Sequence, residues 1–198
     1  MSESVEEVLE RALRAFGIGR WADALEGYER ALAISSDLSV ARAQAGRCKL
    51  RLGHIREAVV DLEAAIDQDE TPEVVWWVEL ADAYLGQGED DKAAANFQEA
   101  IERDPSQAEA FAGMGVLYLR KQAFQMAKTA LEHAVSLEWG LGAAHNNLAI
   151  VYCYLGDYAR AAEELSVARN LGYPVDPSFR EMLSKQLYAR GQTKEEPS

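Results

Sequence analysis

Four basic side chains lie on one short segment of an otherwise acidic chain. Residues 41–53 carry Arg42, Arg47, Lys49 and Arg51 and contain no acid, whereas the whole chain has 33 acidic and 20 basic residues. Arg47 and Arg51 are one helical turn apart, so their guanidinium groups could bind carboxylates of one partner. Alternatively, the charges complement the C-terminus of their helix and pair with acids on neighbouring helices.

Histidine and cysteine, which often perform catalysis or bind metals, are scattered. His54, His133 and His145 have no cysteine or carboxylate at ligand spacing, and Cys48 and Cys153 form no CxxC motif. Both cysteines are expected to be small buried apolar side chains. No glycine-rich phosphate loop or nucleophile elbow occurs. The sequence therefore predicts a protein that is not an enzyme and has no cofactor or metal ion.

The composition is typical of a folded, acidic protein. Hydrophobic residues make up 48% of the chain, and the net charge is −13, which disfavours binding to nucleic acid and anionic membranes. No apolar run approaches the roughly 20 residues of a membrane helix. The N-terminus, "MSESVEEVLERAL", is acidic, unlike a signal peptide. We therefore expect a cytoplasmic protein without direct membrane insertion; a leader removed before Met1 would leave no trace in this sequence.

Five segments of the chain resemble one another at regular intervals of 34, 35, 34 and 34 residues. They begin at Gly19, Gly53, Gly88, Gln122 and Gly156. Alanine stands five and twelve places after every start. Between the alanines lies a large apolar residue, which is Tyr28, Leu62, Phe97, Leu131 or Leu165. Spacings of four and three predict one face of a helix in each segment.

A second helical pattern lies upstream of each segment and contains one small residue at a constant position: Ala12, Gly46, Ala81, Gly115 and Ala149. Small residues at such positions let two helices approach closely, so each unit is predicted to be a helix pair. Period and residues together resemble the tetratricopeptide repeat family. Repeat three carries most of the family pattern, as Trp77, Leu80, Ala81, Tyr84, Gly88, Ala93, Phe97, Ala100 and Pro105.

The resemblance implies an all-α fold, a right-handed superhelical α-solenoid of five helix pairs plus a C-terminal capping helix. Asp176 is the expected N-cap of that last helix, with Pro177 at its first position and apolar residues on one face. We expect one domain over residues 1–190, with a disordered tail over 191–198. The repeats are predicted at 5–38, 39–72, 74–107, 108–141 and 142–175, and the capping helix at 176–190.

The same resemblance implies that one stripe of the first helix of each pair lines a concave groove for peptides. A tightly wound superhelix that buries these apolar residues is the alternative. Glu6, Leu9 and Val40 lie on the stripe. The main candidates for partner binding are Leu13, Phe16, Arg47, Leu50, Arg51, Val75, Val78, Asp82, Val116, Arg120, Asn146, Ile150 and Tyr154.

The most apolar run, "PEVVWWVEL", belongs to the first helix of repeat three. Trp77 is expected to pack between the two helices of its repeat, and Trp76 to face the preceding repeat. Val75 and Val78, by contrast, are expected to point toward the groove. The run is therefore interpreted as protein core with a partner-binding edge, and not as an aromatic ligand pocket.

Two positions specify the expected partner further. Family members that bind chaperone tails use lysine and asparagine at groove positions that are Leu9 and Leu13 here, so that carboxylate clamp is absent. Arg47 and Arg51, with Arg120, would instead bind an acidic segment. Asn146 could pin a peptide backbone, because an amide both donates and accepts hydrogen bonds.

The predicted function is a non-enzymatic scaffold or adaptor that binds a protein or peptide partner in its groove. One alternative is an assembly factor or chaperone of a secretion, pilus or organelle-building system. Another is the regulatory or docking portion of a larger enzyme. Self-association, with the terminal helix of one protomer in the groove of another, is a third.

Overall fold

A computed structural model describes residues 3–192, with side-chain burial described up to Ala189. Within this range the chain forms eleven α-helices and no strand, which confirms the all-α fold of five helix pairs and a final helix. The helices are α1 Val5–Gly17, α2 Trp21–Ile34, α3 Ser39–Arg51, α4 Ile55–Gln68, α5 Val74–Gln87, α6 Asp90–Arg103, α7 Ala108–Arg120, α8 Phe124–Leu137, α9 Gly142–Tyr154, α10 Tyr158–Asn170 and α11 Pro177–Gln192.

The chain divides into two compact units, the first ending at Arg103 and the second beginning at Asp104. The first unit contains the helix pairs α1–α2, α3–α4 and α5–α6, and the second contains α7–α8, α9–α10 and α11. The single domain over residues 1–190 stays a prediction.

The small residues of the repeat let paired helices touch. A Cβ atom on Gly27 of α2 would lie 2.7 Å from the Cβ of Ala12 on α1. A Cβ atom on Gly115 of α7 would lie 2.5 Å from the Cγ of Leu131 on α8. Such distances are far below van der Waals contact, so only glycine allows these helices their present separation.

The turn inside each pair requires a left-handed backbone. Gly88 has a φ of 80° between α5 and α6, a conformation that glycine adopts without a steric cost. Gln122 occupies the equivalent turn between α7 and α8 and has a φ of 56°. The turn is therefore kept where the sequence departs from the repeat pattern, with backbone strain at a residue that has a Cβ atom.

The double tryptophan of α5 is core, as its place in the repeat predicts. Trp76 and Trp77 are 1% and 6% exposed, and the guanidinium of Arg103 on α6 lies 3.9 Å from the centre of the Trp77 ring. Val78 is only 4% exposed. The expectation that Val78 points into a groove is therefore corrected: the helix buries this side chain with the tryptophans.

The second unit has a core to which the last helix is anchored. Leu131, Leu148, Leu165 and Leu183, from α8, α9, α10 and α11, belong to one buried cluster. The N-cap predicted for α11 is present, because Asp176 accepts a hydrogen bond of 2.8 Å from the backbone N–H of Ser178. The helix ends at Gln192, two residues beyond its predicted end. The rest of the predicted tail, residues 193–198, lies outside the described residues.

Candidate functional site

One cleft in the second unit brings together all three candidate residues of repeat five. We call it the α9 cleft; its volume is about 530 Å³. Asn146, Ile150 and Tyr154 face it from α9, at spacings of four residues that place them on one side of the helix. The remaining lining residues come from α9, α10 and the segment that includes α11, and are Cys153, Tyr158, Tyr173, Pro174, Asp176, Phe179 and Met182.

Asn146 is one of the polar residues that line this cleft, together with Asp176 and three tyrosines. Its side chain is half-buried and, within residues 3–192, makes no hydrogen bond. A free amide in a largely aromatic and aliphatic wall can donate to a carbonyl and accept from an N–H of an extended backbone. The neighbouring Asn147 does not line the cleft.

An aromatic platform forms the rim next to Asn146 and Ile150. The ring of Tyr154 stacks on the ring of Phe124 from α8, with centroids 4.4 Å apart and an angle of 10° between the planes. Tyr154 is nevertheless 65% exposed, so its second face remains open to a partner side chain.

The cysteines differ from each other in a way that the sequence did not reveal. Cys48 is fully buried, as expected, whereas Cys153 is half-buried and lines the α9 cleft, which corrects the expectation for Cys153. Burial raises the pKa of the Cys48 thiol to about 11 and also raises the pKa of the Cys153 thiol. Both are therefore neutral thiols near pH 7, unlike the thiolate of a nucleophilic cysteine.

Arg47 is engaged inside the first unit. Its Nε donates a hydrogen bond of 2.7 Å to Glu79 Oε1 on α5, its Nη1 contacts Gln44 at 3.3 Å, and its guanidinium lies 5.2 Å from the centre of the Phe16 ring. Burial raises the pKa of Glu79, and the charge of Arg47 opposes that shift. This contact favours the structural explanation of the basic segment.

The other basic residues of α3 also have contacts within the first unit. Lys49 forms ion pairs of 2.7 Å with Asp61 and 3.4 Å with Glu29. Arg42 donates to Gln68 and to the backbone oxygen of Ser36. Arg51 is exposed, with its guanidinium 6.0 Å from the Trp21 ring.

The remaining candidate residues do not converge on the α9 cleft. Leu50 and Val75 are half-buried, and Asp82 is exposed, all in the first unit. Val116, half-buried, and Arg120, exposed, lie on α7 of the second unit, outside the lining of the α9 cleft.

Leu13 lies in a second cleft, which is in the first unit. We call it the α1–α3 cleft; it has a volume of about 580 Å³ and is mostly apolar. Leu13 is 59% exposed and Val40 is 51% exposed. The lining consists of Glu6, Leu9, Glu10, Leu13, Tyr28, Asp37, Leu38, Ser39, Val40, Ala41 and Gln44.

The fold gives His145 the carboxylate partner that it lacks in the sequence. The imidazole is completely buried, with Nδ1 2.6 Å from Glu164 Oε2 on α10 and Nε2 3.0 Å from the backbone oxygen of Trp139. The ring connects α9 with α10 and with the turn before α9, a structural role, and Glu164 is 19 residues away in the chain.

Two further properties concern the described residues only. No helix among them is long and apolar enough to cross a bilayer. Nor do they contain a group of three or more histidine, cysteine or acidic side chains arranged to hold a metal ion.

Comparisons with known proteins agree with the helix-pair fold. A family model described as "TPR repeat" matches residues 81–122. A comparison with curated proteins finds no sequence match. Among solved structures, MamA from Desulfovibrio magneticus RS-1 is 17% identical with a TM-score of 0.72, and the alignment covers 87% of this chain and 97% of that one.

Two other solved structures extend the comparison. TTC0263, described as a thermophilic TPR protein in Thermus thermophilus, is 22% identical with a TM-score of 0.70, covering 93% of this chain and all of that one. YrrB, described as a TPR protein with an unusual peptide-binding site, is 20% identical with a TM-score of 0.66, covering 95% and 92%. The resemblance to tetratricopeptide repeat proteins is thereby confirmed, and the fold is theirs.

Proposed function

We propose that the chain is a non-enzymatic scaffold that binds a segment of a partner protein, with the α9 cleft as its main site. The observation that carries this proposal is the convergence of Asn146, Ile150 and Tyr154 in one cleft. Three side chains from one stripe of α9 there present an unpaired amide, an aliphatic group and an open aromatic face.

The chemistry of the cleft specifies the kind of ligand. Ile150, Phe179 and Met182 offer apolar contacts, and Tyr154 offers a flat surface, so the ligand must carry apolar side chains. Asn146 would bond the peptide backbone between them. An extended or helical segment with an apolar anchor fits these requirements, and the peptide-binding site described for YrrB supports such a use of the fold.

The contacts of Arg47 weigh against an acidic partner as the principal ligand. Arg47 already binds Glu79, so a partner carboxylate would have to replace a half-buried ion pair. Cytoplasmic location, self-association and a role as an assembly factor or as part of a larger enzyme stay predictions of the sequence.

A display experiment tests the proposal. A random peptide library on phage is panned against the whole protein, and the affinities of enriched peptides are measured for Asn146→Ala and for Asn147→Ala. We expect about a three- to tenfold loss for Asn146→Ala, since a hydrogen bond contributes about 0.5–1.5 kcal/mol. Asn147→Ala is the matched control, because the adjacent asparagine does not line the cleft.

The affinities of the same peptides are also measured for Ile150→Ala, a substitution that removes apolar contact area from the cleft. Circular dichroism checks that each variant is folded. The proposal is wrong if the library yields no specific peptide, or if enriched peptides bind equally well to the wild type, Asn146→Ala and Ile150→Ala. It is also wrong if Asn147→Ala loses as much affinity as Asn146→Ala.

A further inference from the structure

The α1–α3 cleft of the first unit has an exposed apolar surface that the proposed function does not use. Leu9 and Leu13 of α1 line it together with Leu38 and Val40 at the start of α3. More than half of the Leu13 and Val40 side chains is exposed to solvent. Exposed aliphatic groups in one concavity are typical of a surface that another chain covers.

Acidic groups surround this apolar surface. Glu6, Glu10 and Asp37 line the cleft, and its lining, as the structure describes it, contains no lysine or arginine. Glu10 contacts Arg14 at 3.4 Å on the exposed surface of α1. A hydrogen bond from the Ser35 hydroxyl lowers the pKa of Asp37, so this carboxyl is ionised near neutral pH. The rim therefore carries negative charge that favours a cationic partner.

One residue that lines the cleft has a buried hydroxyl. Tyr28 of α2 lines the cleft and is only 3% exposed, and its hydroxyl oxygen has no hydrogen-bond partner in the part of the chain that the structure describes. Buried polar groups normally have a partner. Burial, with a contribution from Cys48, raises the pKa of Tyr28 to about 12, so the hydroxyl belongs to the interior of the unit and not to the surface that a ligand contacts.

We propose that the α1–α3 cleft binds an amphipathic segment of another protein, with apolar side chains on one face and lysine or arginine beside them. The apolar side chains cover Leu9, Leu13 and Val40, and the basic groups lie next to Glu6, Glu10 and Asp37. This site is separate from the α9 cleft. Its proposed ligand is basic, whereas the arginines of α3 predict an acidic ligand from the sequence.

The last six residues of the chain do not offer a fitting occupant. Residues 193–198, "TKEEPS", carry two acids, one lysine and no large apolar side chain. The basic residues of the segment 41–53 belong to α3, where most of them already have contacts within the unit. Charge complementarity therefore points to a basic segment from another protein.

A designed pair of peptides tests the charge requirement. The probe is a short amphipathic helical peptide of leucine and lysine with a fluorescent label, and its twin has glutamate in place of lysine. Fluorescence anisotropy with the whole protein measures both affinities. We expect binding of the Leu/Lys peptide and at least tenfold weaker binding of the Leu/Glu peptide. Scrambling the Leu/Lys sequence, which destroys the apolar face, should weaken binding similarly.

Two variants of equal charge locate the site. Glu6→Lys combined with Glu10→Lys reverses the charge at these two positions on the rim of the cleft. It should weaken binding of the Leu/Lys peptide about tenfold. Glu102→Lys combined with Glu163→Lys changes the net charge equally at exposed positions outside both clefts, and should leave the affinity within twofold. Leu13→Ala, at a largely exposed position, should weaken binding several-fold without unfolding the chain.

Three results would overturn the inference. The first is no measurable binding of the Leu/Lys peptide. The second is equal binding of the lysine and glutamate peptides. The third is an equal loss in the Glu6/Glu10 and Glu102/Glu163 variants, which would mean that the peptide responds to net charge alone. The α9 cleft is unchanged in all these variants, so its own peptides distinguish a failure here from a failure of the proposed function.

Discussion

The α1–α3 cleft and the α9 cleft have similar volumes, about 580 and 530 Å³, and different chemistry. The first has exposed aliphatic groups and an acidic rim. The second has aromatic walls, a free amide and one side formed by α11. Since the repeat pattern is common to both units, the difference comes from residues that the repeats do not share. The scaffold supplies concavities, and the variable residues decide which chemistry each one has.

A second contrast between the units concerns their tyrosine hydroxyls. Tyr28 of α2 and Tyr152 of α9 are both buried, with 3% and 5% of the residue exposed. Tyr152 donates a hydrogen bond of 2.7 Å to Glu132, whereas the Tyr28 hydroxyl has no partner within the described residues. The hydrogen-bonding capacity of the buried tyrosine hydroxyl is therefore used in the second unit and unused in the first.

Removing the Leu183 side chain, which anchors α11 in the core of the second unit, should give the largest difference between the two clefts. Leu183 is 2% exposed in the core of the second unit, so Leu183→Ala should lower the free energy of unfolding by about 3 kcal/mol. Peptides selected for the α9 cleft should lose affinity, because α11 forms part of its wall. Binding of the Leu/Lys peptide at the α1–α3 cleft should be unchanged.

Chemical denaturation and anisotropy measure these two effects. Leu187→Ala, on the same helix but 36% exposed, is the matched control and should cost less than about 1 kcal/mol. If Leu183→Ala leaves the α9 peptides bound normally, α11 does not contribute to that site.

Removing Arg47 should have the next largest effect, confined to the first unit. Arg47→Ala would leave Glu79 half-buried without its cation and should lower the free energy of unfolding by about 2 kcal/mol at pH 7. Burial already raises the pKa of Glu79 above its ordinary 4.5, and loss of Arg47 should raise it further. Peptide binding at the α9 cleft should not change.

The pH dependence has a defined sign. A raised pKa in the folded state means that the folded protein binds a proton more tightly than the unfolded chain. The free energy of unfolding of Arg47→Ala should therefore fall as pH rises from about 4.5 through the raised pKa of Glu79. Denaturation at a series of pH values measures the slope. Adding Glu79→Gln should remove the extra slope, and a slope that persists would show that another group is responsible.

The tyrosine contrast should give the smallest effects, with opposite signs. Tyr28→Phe removes a buried hydroxyl without a partner and should raise the free energy of unfolding by about 1 kcal/mol. Tyr152→Phe removes the hydrogen bond to Glu132 and should lower it by about 1 kcal/mol. Thermal unfolding of both variants measures the pair. Destabilisation by Tyr28→Phe would indicate that its hydroxyl already has a partner.

The sequence by itself determined the helix pairs and much of their core. Two alanines at constant spacing around one large residue form a small-large-small face on the second helix of each pair. This pattern can be recognised within a single short segment of sequence. Position in the repeat, through the family resemblance, predicted Trp76 and Trp77 as core, and the sequence Asp-Pro predicted Asp176 as the N-cap of α11. The stripe of α9 was predicted from local spacing, since residues four apart share a side of any helix.

Only the tertiary structure decided which groups are already paired and which remain available to a partner. Arg47 forms a hydrogen bond with Glu79, which is 32 residues later in the chain. His145 contacts Glu164, which is 19 residues later. Val78 shares the stripe of Val75 but is buried by its neighbours. Helical spacing specifies the direction of a side chain from its own axis, whereas burial and ion pairing depend on the positions of other helices. For that reason the sequence identified the candidate stripe, and packing separated its structural residues from its exposed ones.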